Sequence, residues 1–220
     1  MRAVIFANGN IEDHSQVLSH LLPEDLLIAA DGGAEHCKVI GIQPDIVIGD
    51  MDSISSQLME ELQTNGTKFK IYPEDKDQTD LELALSYAHQ KGVSEIVFFG
   101  ILGGRLDLSL ANLMLLARDD WQTSSIIVID GPDTVFLLRA KDSISIDGVP
   151  GDIVSLIPLS EKVEGVSTQG LRWQLDEAVL LQGNTRSVSN ELLTNSAHVN
   201  IEKGKMLLVH REIKAGNIEE

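Results

Sequence analysis

Residues 26–50 read LLIAADGGAEHCKVIGIQPDIVIGD. Residues 26–30 are short and continuously apolar, as a strand buried on both faces requires. They stop at Asp31-Gly32-Gly33, a turn signal. Residues 34–40 then follow a helical pattern, and 46–48 form another apolar strand ending at Gly49-Asp50. Strand, helix and strand in so short a span make a βαβ unit with parallel strands.

The same alternation extends both ways. Residues 4–7 read as a strand and 17–22 lie in a helical pattern. Residues 55–63 read as a helix with Ser53 or Ser55 as N-cap. Strands are expected at 68–72, 95–99 and 125–130, and a helix at 106–117. Residues 80–90 form an amphipathic helix with Leu81, Leu83, Ala84, Leu85 and Ala88 on its apolar face. The expectation is a parallel sheet covered on both sides, with ligands beyond the carboxyl ends of its strands. After Gly131-Pro132 short β runs punctuated by glycines take over, which fits a sandwich or barrel. The fold class is thus α/β, a parallel-sheet domain over 1–132 followed by an all-β domain over 133–214, with a frayed tail at 215–220.

Among 220 residues, 17 Lys and Arg stand against 34 Asp and Glu, a net charge of −17. Nothing supplies the basic face that nucleic acid needs. The balance suits a cationic substrate or divalent metals. The lone Cys37 excludes an intramolecular disulfide and paired-cysteine zinc sites, and its apolar helical setting reads as buried and inert. No run approaches the roughly 20 apolar residues of a membrane span. A cytoplasmic protein with no membrane partner is expected. The six histidines show no metal-ligand spacing, and Trp121 and Trp173 read as packing residues, although an exposed Trp can stack on a cationic ring.

Four acidic clusters fall at expected strand ends or helix starts: Asp31-Gly32-Gly33, Asp50-Met51-Asp52-Ser53, Asp75-Lys76-Asp77-Gln78-Thr79-Asp80, and Gly103-Gly104-Arg105-Leu106-Asp107. Carboxylates gathered on one edge repel unless a cation joins them, and Mg²⁺ takes a few carboxylates together with phosphate oxygens. Gly32-Gly33 and Gly103-Gly104 let backbone amides approach phosphate. Arg105 is a bidentate phosphate clamp, Lys76 a point charge, and Asp107 a candidate to orient or deprotonate a hydroxyl. Each cluster also has a structural reading as a turn, a cap or a surface ion pair. Capping alone does not predict four acidic loops along one edge.

These strings, in this order, resemble the thiamine pyrophosphokinase family. The likeness rests on Ala30–Ala34, Pro44-Asp45 leading to Gly49–Ser53, Lys76–Asp80, Gly104–Asp107 with Ala111-Asn112, and later Gly170–Trp173 and Ser189-Asn190-Glu191. The resemblance implies an α/β domain for ATP and Mg²⁺ and a β-sandwich for thiamine binding and dimerisation. It implies transfer of the β,γ-diphosphate of ATP to the thiamine hydroxyl, with release of AMP, by a homodimer with sites at the subunit junction. Asp50, Asp52 and Asp80 would then surround metal and phosphates, forming the catalytic set with Arg105 and Asp107. Asp31, Gly32, Gly33, Lys76, Asp77 and Thr79 would lie along the nucleotide, and Ser187, Ser189 and Asn190 would help form the thiamine pocket. Many bacterial members carry His directly after the Arg-x-Asp aspartate, where this chain has Leu108. A histidine base there is therefore ruled out, leaving Asp107 or bulk water. Two rivals stay open. A phosphohydrolase would release phosphate rather than AMP, and a module that has lost catalysis would bind without turnover.

Overall fold

A computed structural model describes residues 1–213; the expected tail at 215–220 lies outside them. The chain divides into two compact units, Met1–Gly131 and the residues from Pro132 onward. The first contains six parallel strands: β1 (Arg2–Phe6), β2 (Leu26–Ala30), β3 (Ile46–Gly49), β4 (Lys68–Ile71), β5 (Glu95–Phe99) and β6 (Ser125–Asp130). Their spatial order is β6-β5-β1-β2-β3-β4. The inner strands are apolar because both faces are covered: Ala3, Val4, Ile5 and Phe6 are fully buried. At the edge, β4 reads Lys-Phe-Lys-Ile, and its exposed lysines discourage pairing with another chain.

Helices α1 (His14–His20), α2 (Gly33–Ile40), α3 (Ser56–Thr64), α4 (Asp80–Gln90) and α5 (Leu106–Leu116) connect the strands. Helix α1 starts ahead of the expected 17–22 because Asp13 caps it, accepting from the backbone N–H of Ser15 at 2.9 Å. Ser55 caps α3 and Thr79 caps α4, accepting from Leu58 and Glu82 at 3.3 and 3.2 Å. Such caps stabilise by about 1 kcal/mol each. Ser53, the alternative cap for α3, donates instead to Asp52. Helix α2 starts flush against β1: a Cβ on Gly33 would lie 2.0 Å from the Phe6 carbonyl oxygen. That close approach fixes Asp31 at the sheet's carboxyl edge. Cys37 is buried on this helix, and burial pushes its thiol up to about 12.

From β1 the chain steps through β2, β3 and β4, then returns to β5 on the other side of β1. The connection reverses direction between β1 and β5, which is where ligands bind in open α/β sheets.

The second unit is antiparallel. Strands β7 (Asp133–Arg139), β9 (Ile153–Pro158), β12 (Asn190–Glu191) and β14 (Lys205–Arg211) form one layer, ordered β12-β9-β14-β7. Strands β8 (Ser143–Asp147), β10 (Lys162–Gln169), β11 (Ala178–Leu181) and β13 (Ser196–Asn200) form the other, ordered β11-β10-β13-β8. Leu138, Val154 and Leu208 meet Val163, Val166 and Val199 in a shared core. Trp121 packs as expected, buried with its Nε1 donating to the Leu115 carbonyl. Trp173 does not. Leu171 takes the core position and leaves Trp173 55% exposed, with the Arg172 guanidinium 4.9 Å from its ring.

Asp152 fastens the end of β14. Its carboxylate accepts from the backbone N–H of Val149 and Ile213, both at 2.9 Å, and pairs with His210 Nε2 at 3.0 Å. Burial would raise its pKa, but these donors outweigh burial and hold it below the usual carboxylate range. A depressed native pKa stabilises above the unfolded value and loses that contribution as pH falls through the native one. Asp152→Asn is therefore expected to cost about 2 kcal/mol at neutral pH. In paired melts the gap from wild type should be full above roughly pH 5 and narrow in stronger acid. No helix among the described residues is long and apolar enough to cross a membrane.

Candidate active site

Three carboxylates converge beyond β2 and β3. Asp31 directly follows β2 with a φ of 44°, and its backbone N–H donates to the Ile48 carbonyl at 2.9 Å. After β3, Met51 has a φ of 69° between Asp50 and Asp52. Left-handed backbone at non-glycine residues costs about 1 kcal/mol or more and tends to cluster at functional sites. Gly49 makes the convergence possible, because a Cβ there would lie 2.9 Å from Asp31 Cβ and 3.2 Å from Asp80 Cγ. One oxygen each from Asp31, Asp50 and Asp52 lies within 4.8 Å of the others.

Lys76 answers part of this charge. Its Nζ stands 2.6 Å from Asp50 Oδ2 and 3.2 Å from Asp80 Oδ1. The Lys76 hydrogen bond holds the Asp50 carboxyl below its ordinary range, and Asp50 in turn raises Lys76. Asp80 is shifted upward, by burial first and then by the Asp50 and Asp31 charges, against the pull of Lys76. The contact to Asp80 is an ion pair without hydrogen-bond alignment, and Asp80 Oδ1 and Asp31 Oδ1 are buried without a hydrogen-bond partner. Unsatisfied buried carboxylate oxygens are costly, and an all-oxygen donor set fits a hard divalent cation. Of the expected metal set, Asp50 and Asp52 converge with Asp31, and Asp80 stands beside them, sharing Lys76 with Asp50.

The triad opens into a cavity of about 820 Å³, within the range of small-molecule sites. Its walls come from the loops after β1 to β5, with Asn8, Asp31, Asp50, Glu74, Lys76, Gly103 and Arg105 among them, and from Leu108 and Asn112 of α5. Asn112 donates to the Ile101 carbonyl at 2.7 Å and braces the loop after β5. No histidine lines the cavity among the described residues.

The remaining sequence candidates divide. Thr79 lines the cleft but spends its hydroxyl on the α4 cap. Gly32 and Gly33 are close-packing positions behind the wall, Gly32 against the Asn8 side chain. Asp77 is exposed and not among the lining residues. Arg105 is exposed and grips Asp107 bidentately at 3.1 and 2.5 Å, which holds the Asp107 carboxyl below its usual range. In the second unit, Ser187 is buried with its hydroxyl donating to the Leu156 carbonyl, so it presents nothing outward. Ser189 sits at a φ of 60°. Asn190 clasps Trp173, accepting from its N–H at 3.0 Å and donating to its carbonyl at 2.7 Å. Motif reading missed Asn8, Gly9, Asn10 and Glu74. The loop at residues 8–10 was findable, since it follows the strand at the topological switch.

Comparison with known proteins identifies the family and the fold. The profile "Thiamin pyrophosphokinase, catalytic domain" matches residues 18–129, and "Thiamin pyrophosphokinase, vitamin B1 binding domain" matches 142–206. Thiamine pyrophosphokinase of Bacillus subtilis is 30% identical over 184 residues, 84% of this chain and 86% of that protein. Thiamine pyrophosphokinase 1 of Oryza sativa is 31% identical over 67% of this chain, which spans 59% of the rice protein. The crystal structure of the Bacillus subtilis enzyme superposes with a TM-score of 0.86 at 26% identity, covering 96% of this chain and 99% of that one. Thiamin pyrophosphokinase from Candida albicans, at 16% identity and a TM-score of 0.77 over 96% of this chain and 89% of that one, shares the fold. The chain belongs to the thiamine pyrophosphokinase family.

Proposed function

We propose that the acidic cleft holds Mg²⁺ and ATP and that the chain moves the β,γ-diphosphate of ATP onto the hydroxyl of thiamine. The observation that carries the site assignment is the convergence of Asp31, Asp50 and Asp52 around a buried, unpartnered oxygen at the sheet's carboxyl edge. Mg²⁺ held by these three would neutralise phosphate charge as a Lewis acid. Lys76 contributes a fixed positive charge beside them, and Arg105 the planar fork that spans two phosphoryl oxygens. The thiamine oxygen attacks the β-phosphorus in line, the bond from that phosphorus to the α-β bridging oxygen breaks, and AMP leaves. The hydroxyl proton passes to Asp107 or to water. Asp107, held low by Arg105, is a weak base, and a loose transition state asks for no stronger one.

The first unit is thereby assigned to ATP and Mg²⁺ and the second to thiamine. Trp173, Ser189 and Asn190 are the thiamine residues in this reading: Asn190 holds Trp173, whose exposed ring offers a face to the cationic thiazolium. The place of work is the cytoplasm. The test is AMP formation from ATP with thiamine or Mg²⁺ omitted in turn. AMP that needs both supports the reading. Inorganic phosphate as the product, or binding of thiamine without turnover, contradicts it.

The working form in this reading is a homodimer. Leu106, Leu110 and Met114 recur every fourth residue on α5 and are 74%, 52% and 52% exposed, and Val179 and Leu181 of edge strand β11 are also exposed. Burying such side chains yields about 1.5–3 kcal/mol each. Light scattering is expected to give the mass of two chains for wild type and of one for the double variant Leu110→Glu, Met114→Glu. A single-chain wild type contradicts the dimer, and an unchanged variant takes α5 out of it.

A further inference from the structure

We propose that His36 is a positioning residue for the loop Asn8-Gly9-Asn10, holding it in the shape that receives the nucleotide; this rests on the ATP reading of the cleft. His36 lies on α2, half-buried, and is not part of the cavity wall. Its Nε2 stands 2.8 Å from the Gly9 carbonyl oxygen. A carbonyl only accepts, so Nε2 carries the hydrogen. The neutral Nε2–H tautomer and the imidazolium both satisfy this, and the contact survives protonation.

Gly9 is held from its other side as well. Its N–H donates to the Gly100 carbonyl at 2.7 Å, and Asn10 N–H reaches the Leu102 carbonyl at 3.3 Å. A Cβ on Gly9 would lie 2.3 and 2.4 Å from those two carbonyl oxygens. Gly103 abuts Asn10, since a Cβ there would lie 3.2 Å from Asn10 Cβ. On the opposite flank the Asn8 carboxamide packs on Gly32, one residue past Asp31. His36 thus ties the helix behind the Asp31 turn to the loop after β1, and that loop is laced to the one leading to Arg105.

Asn8 and Asn10 both line the cavity and are exposed. The walls carry Asp31, Asp50, Asp52, Glu74 and Asp80 against the cations Lys76 and Arg105. Two neutral carboxamides donate to phosphate or ribose oxygens there without adding charge, provided the loop is already ordered. Without the His36 bond the Gly9 peptide is held from one side only, and ATP binding must supply the ordering.

The test is steady-state kinetics of the full chain, following AMP, for wild type, His36→Ala and His36→Gln, with Mg-ATP titrations and melting curves. His36→Ala is expected to raise the KM for ATP roughly five- to tenfold, the size of one lost hydrogen bond plus loop ordering. The KM for thiamine should stay unchanged and the melting temperature within about 2 °C. His36→Gln should restore ATP binding, because its amide nitrogen reaches the position of Nε2. An unchanged KM for ATP in His36→Ala overturns the proposal, as does a large fall in melting temperature with both KM values rising together. A wild type that makes no AMP overturns the ATP reading itself, which separates the two failures.

Discussion

Asp50→Asn is expected to lower thiamine-dependent AMP formation roughly 10²–10³-fold, the scale of one lost charge-stabilising group in an active site. Asp50 serves twice. It gives one of the three converging oxygens, and its Oδ2 anchors Lys76 at 2.6 Å. The hydrogen bond from Lys76 keeps the carboxyl ionised in the working range. Asparagine preserves size and polarity but brings no charge, so Lys76 and the proposed cation would lose their shared partner. Asp50 is only half-buried, so the variant should remain folded. Melting curves supply a second readout. A cation that binds only the folded chain raises stability with its concentration, by about 2.7 kcal/mol at a hundred times its Kd. Wild type should show a Mg²⁺-dependent rise in Tm that Asp50→Asn lacks. A variant with near-wild-type turnover and the same Mg²⁺ response would remove Asp50 from the site.

Arg105→Ala is expected to reduce kcat/KM for ATP about 10²-fold or more while leaving the fold intact. The two halves of that expectation have separate causes. Arg105 and Asp107 have side chains 71% and 65% exposed, and an ion pair in such a setting adds little to stability. In the proposed reaction the same guanidinium would span two triphosphate oxygens and meet the charge that develops during transfer. Arg105→Lys should recover only a small part, because an ammonium is a point charge that cannot form the bidentate contact. A loss below about threefold in Arg105→Ala, measured at subsaturating ATP, would mean that Arg105 serves Asp107 and the surface alone.

Much of this was readable from residues, for reasons that differ from one element to the next. The first unit announces itself because its strands are buried on both faces and must be apolar throughout, as in Ala3–Phe6. The acidic loops were visible because three of the four carry glycines beside their aspartates, and the fourth sets Asp75, Asp77 and Asp80 within six residues. Which carboxylates meet was not. The convergence of Asp31 with Asp50 and Asp52 depends on the φ of Met51 and on the missing Cβ of Gly49, and neither leaves a periodic trace. Strand β12 is two residues long and escaped any pattern. Ser187 and Trp173 took settings other than expected, the hydroxyl inward onto the Leu156 carbonyl and the indole outward where Leu171 fills the core. Antiparallel pairing across the second unit, such as residues 133–139 with 205–211, joins segments far apart in sequence.

The most direct test of the central claim follows each phosphorus of ATP. The chain is incubated with Mg²⁺, thiamine and ATP labelled either at the α or at the γ position, and the products are separated. Transfer of an intact diphosphate predicts that the γ label appears in thiamine diphosphate, that the α label remains in AMP, and that the two products form in equal amounts. A γ label recovered as inorganic phosphate, or an AMP yield indifferent to thiamine, would contradict it.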